Sequence, residues 1–321
     1  MAQRKTEVRR AGLRPDLSAA GAGVAGATEG QTFAGDSLLV RYVNLVRLPH
    51  TLFALPFALV GTVYGSRSEP VTVRQVVLVL VAFTAARFAA MGFNRIADRQ
   101  LDAINPRTRN RELPSGRMTA GQAGVAVVVA GGLFLLAAAL LNPLCRNLGP
   151  LALAWVLAYS YTKRFTSWSH LWLGASLAIA PAGGYLAVAG HWSTPGWVLY
   201  ALSSAVMCWV AGFDIFYALQ DREFDREHQL RSAVVLFGEG RSIVVAKLLH
   251  GLAILLLVWF GYGAELSWSY YGGVIAAAAV LAREHRLVKA GDLRRLDAAF
   301  FTMNGIMSIV VFTGMLVDRL L

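Results

Sequence analysis

Cysteine is nearly absent from this chain. Cys145 and Cys208 are the two it has, and neither lies in a CxxC or Cys/His spacing. That excludes a disulfide framework and a structural zinc site, so both read as packing residues within apolar runs. Acidic residues are also few: 19 Asp and Glu stand against 30 Lys and Arg, for a formal charge of +11. Charged residues make up only 15% of the chain and cluster between long apolar stretches instead of covering one basic face. Nucleic-acid binding is therefore excluded; the basic residues read as topology signals facing anionic lipid. No strand-like alternation supports a β-barrel, and no segment looks like a soluble domain.

Residues 1–36 contain few large apolar side chains and no signal-peptide core. Rich in Arg, Gly, Ala, Ser and Thr, they read as a disordered cytoplasmic tail. A transit peptide would share the arginines, but Glu7, Asp16 and Glu29 argue against one.

What the chain has in abundance is apolar length: 56% hydrophobic residues and a mean hydropathy of +0.52. Nine apolar segments can be drawn, at 38–66, 73–97, 119–141, 147–162, 170–189, 197–219, 241–262, 266–282 and 297–317. Most approach the ~20 residues that cross a bilayer as helix. The sequence thus predicts an all-α polytopic membrane protein, a nine-helix bundle occupying residues 37–321. Pro49 and Pro56 should kink the first helix. Gly183-Gly184 and Gly272-Gly273 suit close helix packing.

Orientation follows from the loops. The second, fourth, sixth and eighth carry Arg95, Arg99, Arg107, Arg109, Arg111, Arg117, Lys163, Arg164, Arg222, Arg226, Arg231, Arg241, Arg283, Arg286, Lys289, Arg294 and Arg295. The odd loops carry only Arg67, Arg74 and Arg146. The positive-inside rule then places the even loops and the N-terminus in the cytoplasm, in an inner-membrane protein.

Two acidic clusters meet that cytoplasmic side: Asn94-xxx-Asp98-xxx-Asp102 and Asp221-xxx-Asp225. Carboxylates four residues apart stack on one helix face. Placed beside lipid they are costly and need a reason. A diphosphate held through Mg²⁺ is the chemistry that best fits two such pairs, because magnesium prefers carboxylate, water and phosphate oxygens. Arg87 lies seven residues before Asn94, deep in the same span. After the first pair comes a loop, 105–117, dense in arginine and in turn formers that could hold a fixed shape. A solvated loop obeying the charge rule would explain the arginines, but topology requires no aspartates. Tyr159 to Thr166 contains the adjacent cations Lys163 and Arg164, a weak signal by itself. Asp214, Tyr217, Asp221 and Asp225 share a second helix face, with Asp214 well inside the apparent boundary. His170, His191, His228, His250 and His285 show no paired ligand spacing and read as interfacial residues.

Taken in order, these motifs resemble the signatures of the UbiA-type intramembrane prenyltransferases. Asn94-xxx-Asp98-Arg99-xx-Asp102 with Leu113-Pro114-Ser115-Gly116 is similar to the first signature, and Tyr161-Thr162-Lys163-Arg164 to the central basic motif. Asp214-xx-Tyr217-xxx-Asp221-xxx-Asp225, followed by Arg231-Ser232 and Phe237-Gly238, is similar to the second. The resemblance covers roughly residues 38–320. It implies a central cavity open to the cytoplasm, where Mg²⁺ joins a polyprenyl diphosphate to Asp98, Asp102, Asp221 and Asp225 and an allylic cation is trapped by an aromatic acceptor. It further implies substrate contacts for Arg47, Asn94, Arg99, Arg109, Lys163, Arg164 and Tyr217, and an acceptor or proton-transfer role for Asp214.

Two departures bear on the acceptor. Asn94 is followed by Arg95 where the family commonly has Asp, and His50 stands where Lys is frequent. The resemblance favours an acid of quinone synthesis (ubiquinone or menaquinone), 4-hydroxybenzoate or a dihydroxynaphthoate. Haem or a chlorophyllide is the alternative acceptor. A proton- or sodium-coupled transporter is the alternative of another class, but transporter carboxylates tend to sit near the midplane, and these sit at helix ends beside arginine.

Overall fold

The computed structural model describes residues 33–35, 37–47, 51–288 and 302–321, and all its regular elements are helical. In chain order they are α1 (Leu38–Leu45), α2 (Thr51–Gly65), α3 (Val73–Ala97), α4 (Arg99–Ile104), α5 (Ala120–Leu141) and α6 (Pro143–Ala158). A 3₁₀ turn, Tyr159–Arg164, leads to α7 (Ser169–Ala189) and α8 (Trp197–Ala218). A second 3₁₀ turn, Leu219–Asp221, precedes α9 (Arg222–Glu227), α10 (Ala233–Phe237), α11 (Glu239–Gly263), α12 (Trp268–Leu287) and α13 (Asn304–Leu320).

The long helices begin where the sequence supplies caps. Thr72 with Gln75 and Thr119 with Gln122 form capping boxes at α3 and α5, satisfying N–H groups that have no partner inside the helix. Asn142 caps α6 with Pro143 in its first turn. Gly190, at φ 72°, ends α7 in a left-handed conformation that a side chain would strain.

Among the described residues, α2, α3, α5, α6, α7, α8, α11, α12 and α13 pack in chain order, each against the next, and α13 returns to α2. The result is a closed ring. Five of its members are long and apolar enough to cross a membrane: α3, α5, α7, the run from Trp197 to Glu227, and α11. Across the ring, α2 meets α7 backbone to backbone, because Gly61 lies against the Pro181 carbonyl and Gly184 against that of Ala58. Trp209 on α8 is fully buried and donates to Asn304 Oδ1 at 2.7 Å, and Asn304 Nδ2 donates to Glu284 Oε1 at 2.9 Å. These bonds tie α8, α12 and α13 together.

Several expectations change in detail. The first apolar segment is two helices, α1 and α2, and Pro49 and His50 lie outside the described residues. Pro56 sits inside α2, which continues through it. Not all histidines are interfacial: His170 and His250 are buried, whereas His191 and His228 are exposed. His250 Nδ1 lies 3.0 Å from His285 Nε2, and its Nε2 lies 3.2 Å from the Trp209 carbonyl. A buried imidazole needs such partners, and for His250 on α11 they come from α8 and α12.

Candidate active site

Among α2, α3, α5, α6, α7 and α8, and the turns that follow α3, α6 and α8, is a cavity of about 700 Å³. Apolar side chains such as Phe134, Leu148, Leu173 and Leu177 form much of its wall, and both acidic clusters line it. The helices do not simply stop there. α3 ends at Ala97, Asp98 breaks the regular path, and α4 resumes so that Asp102 N still bonds to Asp98 O at 2.8 Å. α8 likewise gives way to a 3₁₀ turn and then α9, which carries Asp225. The four-residue spacing therefore puts each pair on one face, as the sequence requires, through a break and not along one straight helix.

Every one of the four aspartates faces a cation. Arg107 holds Asp221 at both oxygens, Nε to Oδ1 at 2.9 Å and Nη2 to Oδ2 at 2.5 Å, while its Nη1 donates to Tyr217 Oη at 2.9 Å. Asn105 Nδ2 adds a third bond to Asp221, at 3.2 Å. Arg111 Nη1 donates to Asp102 at 2.7 Å, Lys163 Nζ to Asp225 at 3.4 Å and Arg164 Nη2 to Asp98 at 3.4 Å. Asn94 Nδ2 supports Asp98 at 2.9 Å. Pairing is what makes these buried charges tolerable.

The electrostatics follow. Burial and the nearby Asp102 carboxylate raise the Asp98 pKa above the ordinary aspartate value, against the opposite pull of Lys163 and Arg164. Burial alone would lower Lys163; four aspartates, Asp225 foremost, outweigh it and hold the ammonium above the usual lysine value. Lys163 is thus kept charged.

Of the residues singled out in sequence, Arg47, Asn94, Asp98, Asp102, Lys163, Arg164, Asp214, Tyr217, Asp221 and Asp225 all line the cavity. Arg99 and Arg109 do not. Both are exposed, and Arg99 donates back to the Ile96 carbonyl at 3.2 Å. The reason is angular: one residue past Asp98, a side chain turns about 100° off the aspartate face. The 105–117 loop instead folds inward through Arg107 and Arg111. Nothing local in the sequence separates these two from Arg109, because 105–117 is a run of turns and not a helix. His170, which reads as interfacial in the sequence, belongs to the site instead. It is 1% exposed, lines the cavity, and places Nδ1 2.6 Å from Asp214 Oδ2.

The oxygen-rich donor set suits a hard divalent cation. Asp102 Oδ2 is moreover buried with no hydrogen-bond partner, an atom prepared for a further ligand. Among the described residues no three acidic, His or Cys side chains converge to hold a metal by themselves.

A bundle of apolar helices with a cavity that holds two cation-matched aspartate pairs defines a polytopic membrane enzyme. The sequence profile of the UbiA prenyltransferase family matches residues 54–306. The chain belongs to that family and is a prenyltransferase. It is 32% identical over 285 residues to a 4-hydroxybenzoate octaprenyltransferase of Nitrosococcus oceani, covering 86% of this chain and 96% of that one. Its fold matches the apo structure of a UbiA homolog from Aeropyrum pernix with a TM-score of 0.77 and 31% identity, over 84% of this chain and 98% of the other. A UbiA homolog from Archaeoglobus fulgidus bound to GPP and Mg²⁺ shares the fold at a TM-score of 0.69 and 19% identity, over 88% of this chain and 100% of that one.

Proposed function

We propose that this enzyme transfers a polyprenyl group from its diphosphate to an aromatic carboxylic acid, 4-hydroxybenzoate first among the candidates, in an Mg²⁺-dependent reaction of quinone synthesis. The observation that carries the reading is the two aspartate pairs with their cations at a cavity that is otherwise largely apolar. The polar side suits a diphosphate and the apolar remainder an isoprenoid. The 4-hydroxybenzoate octaprenyltransferases among the relatives favour the phenolic acid.

Asp98, Asp102, Asp221 and Asp225 would hold Mg²⁺ together with the diphosphate, and the ion's chemistry there is neutralisation of the departing group. Arg107, Arg111, Lys163 and Arg164 are the chain's own donors for phosphate oxygens; guanidinium meets them bidentately. The apolar wall keeps water from the allylic cation. Asn94 and Asp214 face the acceptor, and Asp214 takes the proton lost on alkylation. Two further cations that line the same cavity, Arg47 and Arg87, suit the acceptor carboxylate. The excess of Lys and Arg on the even loops supports a cytoplasmic active-site face, a cytoplasmic N-terminus and an inner-membrane location.

The test is turnover of purified protein with Mg²⁺, geranyl diphosphate and acceptors with or without the carboxylate, in wild type, Arg47→Ala and Arg87→Ala. The acid should be preferred, and at least one variant should lose that preference. Equal alkylation of phenol and acid by the wild type would refute the acid acceptor.

A further inference from the structure

The reaction proposed above needs a base on the acceptor side, and Asp214 does not stand there alone. Among the described residues His170 is the imidazole that lines the cavity. Its Nδ1 lies 2.6 Å from Asp214 Oδ2, and on its far side the backbone N–H of Ala233 points at Nε2, 3.4 Å away. A backbone N–H can only donate, so Nε2 must present its lone pair. The ring proton then resides on Nδ1 and is donated to the carboxylate. Ala233 is the first residue of α10, whose start is fixed by Ser232 accepting from Val235 N, so the tautomer is set by a built helix end. One carboxylate oxygen of Asp214 is held by the imidazole, and the other is left to the cavity.

We propose that His170 is a positioning residue for acceptor alkylation: its Nδ1–H donates to one oxygen of Asp214 and holds that side chain in place to take the proton from the acceptor ring. This rests on the reading of the site as an aromatic prenyltransferase. In the step concerned, the allylic C–O bond breaks and its electron pair leaves with the diphosphate. The ring carbon ortho to the phenol bonds to the allylic carbon. The proton that carbon carried passes to Asp214, restoring the aromatic ring. A carboxylate free to rotate, or tilted toward Lys163, would be poorly placed for that transfer.

The competing explanation is that His170 merely tethers α10 to α7 through Nε2. Two near-isosteric variants separate the atoms: His170→Asn puts an amide N–H near the Nδ1 position, and His170→Gln puts an amide oxygen near Nε2. Full-length protein is assayed with Mg²⁺, geranyl diphosphate and 4-hydroxybenzoate, with equilibrium binding of magnesium geranyl diphosphate as a second readout. The expectation is that H170Q lowers kcat by about 10²-fold. Donor binding should not change, and H170N should recover most of the loss. In an Asp214→Asn background the two substitutions should become indistinguishable. Rescue by H170Q in place of H170N, equal loss in both or no loss in either overturns the proposal while the wild type remains active. A wild type inert toward every phenolic acid overturns the functional reading, and this inference with it.

Discussion

At Asp98 the backbone leaves the helix with φ −98° and ψ 7°, and at Asp221 with φ −99° and ψ 2°. In both places a short helix follows and carries a second aspartate four residues on, 7% exposed at Asp102 and 2% at Asp225. The two halves use one backbone device. They differ in how the protein holds the first aspartate of each pair. Asp221 is closed: Arg107 takes both oxygens and Asn105 shares one. Asp98 is more open: its side chain is 26% exposed, Asn94 donates to one oxygen at 2.9 Å, and the cation Arg164 meets the other only at 3.4 Å. The cations also cross over, since the loop after the first cluster clamps the second. On the function proposed above, a diphosphate with its Mg²⁺ would reach Asp98 without displacing a clamp, whereas Asp221 would become available only if Arg107 exchanged carboxylate for phosphate.

The broadest test of the comparison is to remove one carboxylate from each half. Asp98→Ala and Asp221→Ala should each lower turnover by about 10³-fold in protein that still folds, since each removes charge placed for the transition state. Chelation of divalent cations should abolish activity and added Mg²⁺ restore it. Near-normal rates in both variants would mean that the pairs are structural. A smaller effect distinguishes the closed half from the open one. Arg107→Gln should unlock Asp221, so that Mn²⁺ binding without diphosphate, read by EPR, rises above wild type. The same variant should bind geranyl diphosphate about tenfold more weakly, the scale of one charge-assisted contact. Unchanged Mn²⁺ binding would show that Arg107 does not gate the aspartate. The smallest effects belong to the cations outside the cavity: Arg99→Ala and Arg109→Ala should leave kcat/KM within about twofold of wild type. A large loss in either would place that arginine in the site after all.

The fold and the acidic clusters were legible because their signals are local. Apolar length marks the helices, and the four-residue spacing of carboxylates survives the breaks at Asp98 and Asp221. The basic loop was legible as a whole but not residue by residue. Whether Arg107, Arg109 or Arg111 turns inward depends on the 105–117 turn geometry, where the Asn105 side chain accepts from Arg107 N at 2.9 Å. His170 gave no signal, because its partner Asp214 is 44 residues away and its tautomer is fixed by a backbone N–H on a third element. Pairings set by tertiary approach leave no period in a sequence.

The 3₁₀ turn at Tyr159–Arg164 carries Lys163 and Arg164 side by side, yet one reaches Asp225 and the other Asp98. With three residues per turn, chain neighbours diverge by about 120°, which lets a single short segment fork between the two halves of the site. That arrangement is tolerant in chemistry and intolerant in length. Exchanging one cation for another preserves the fork, while inserting or deleting a single residue rotates it by a third of a turn and aims neither prong at its aspartate. Between α6 and α7, then, this enzyme should accept exchange of one cation for another far more readily than indels.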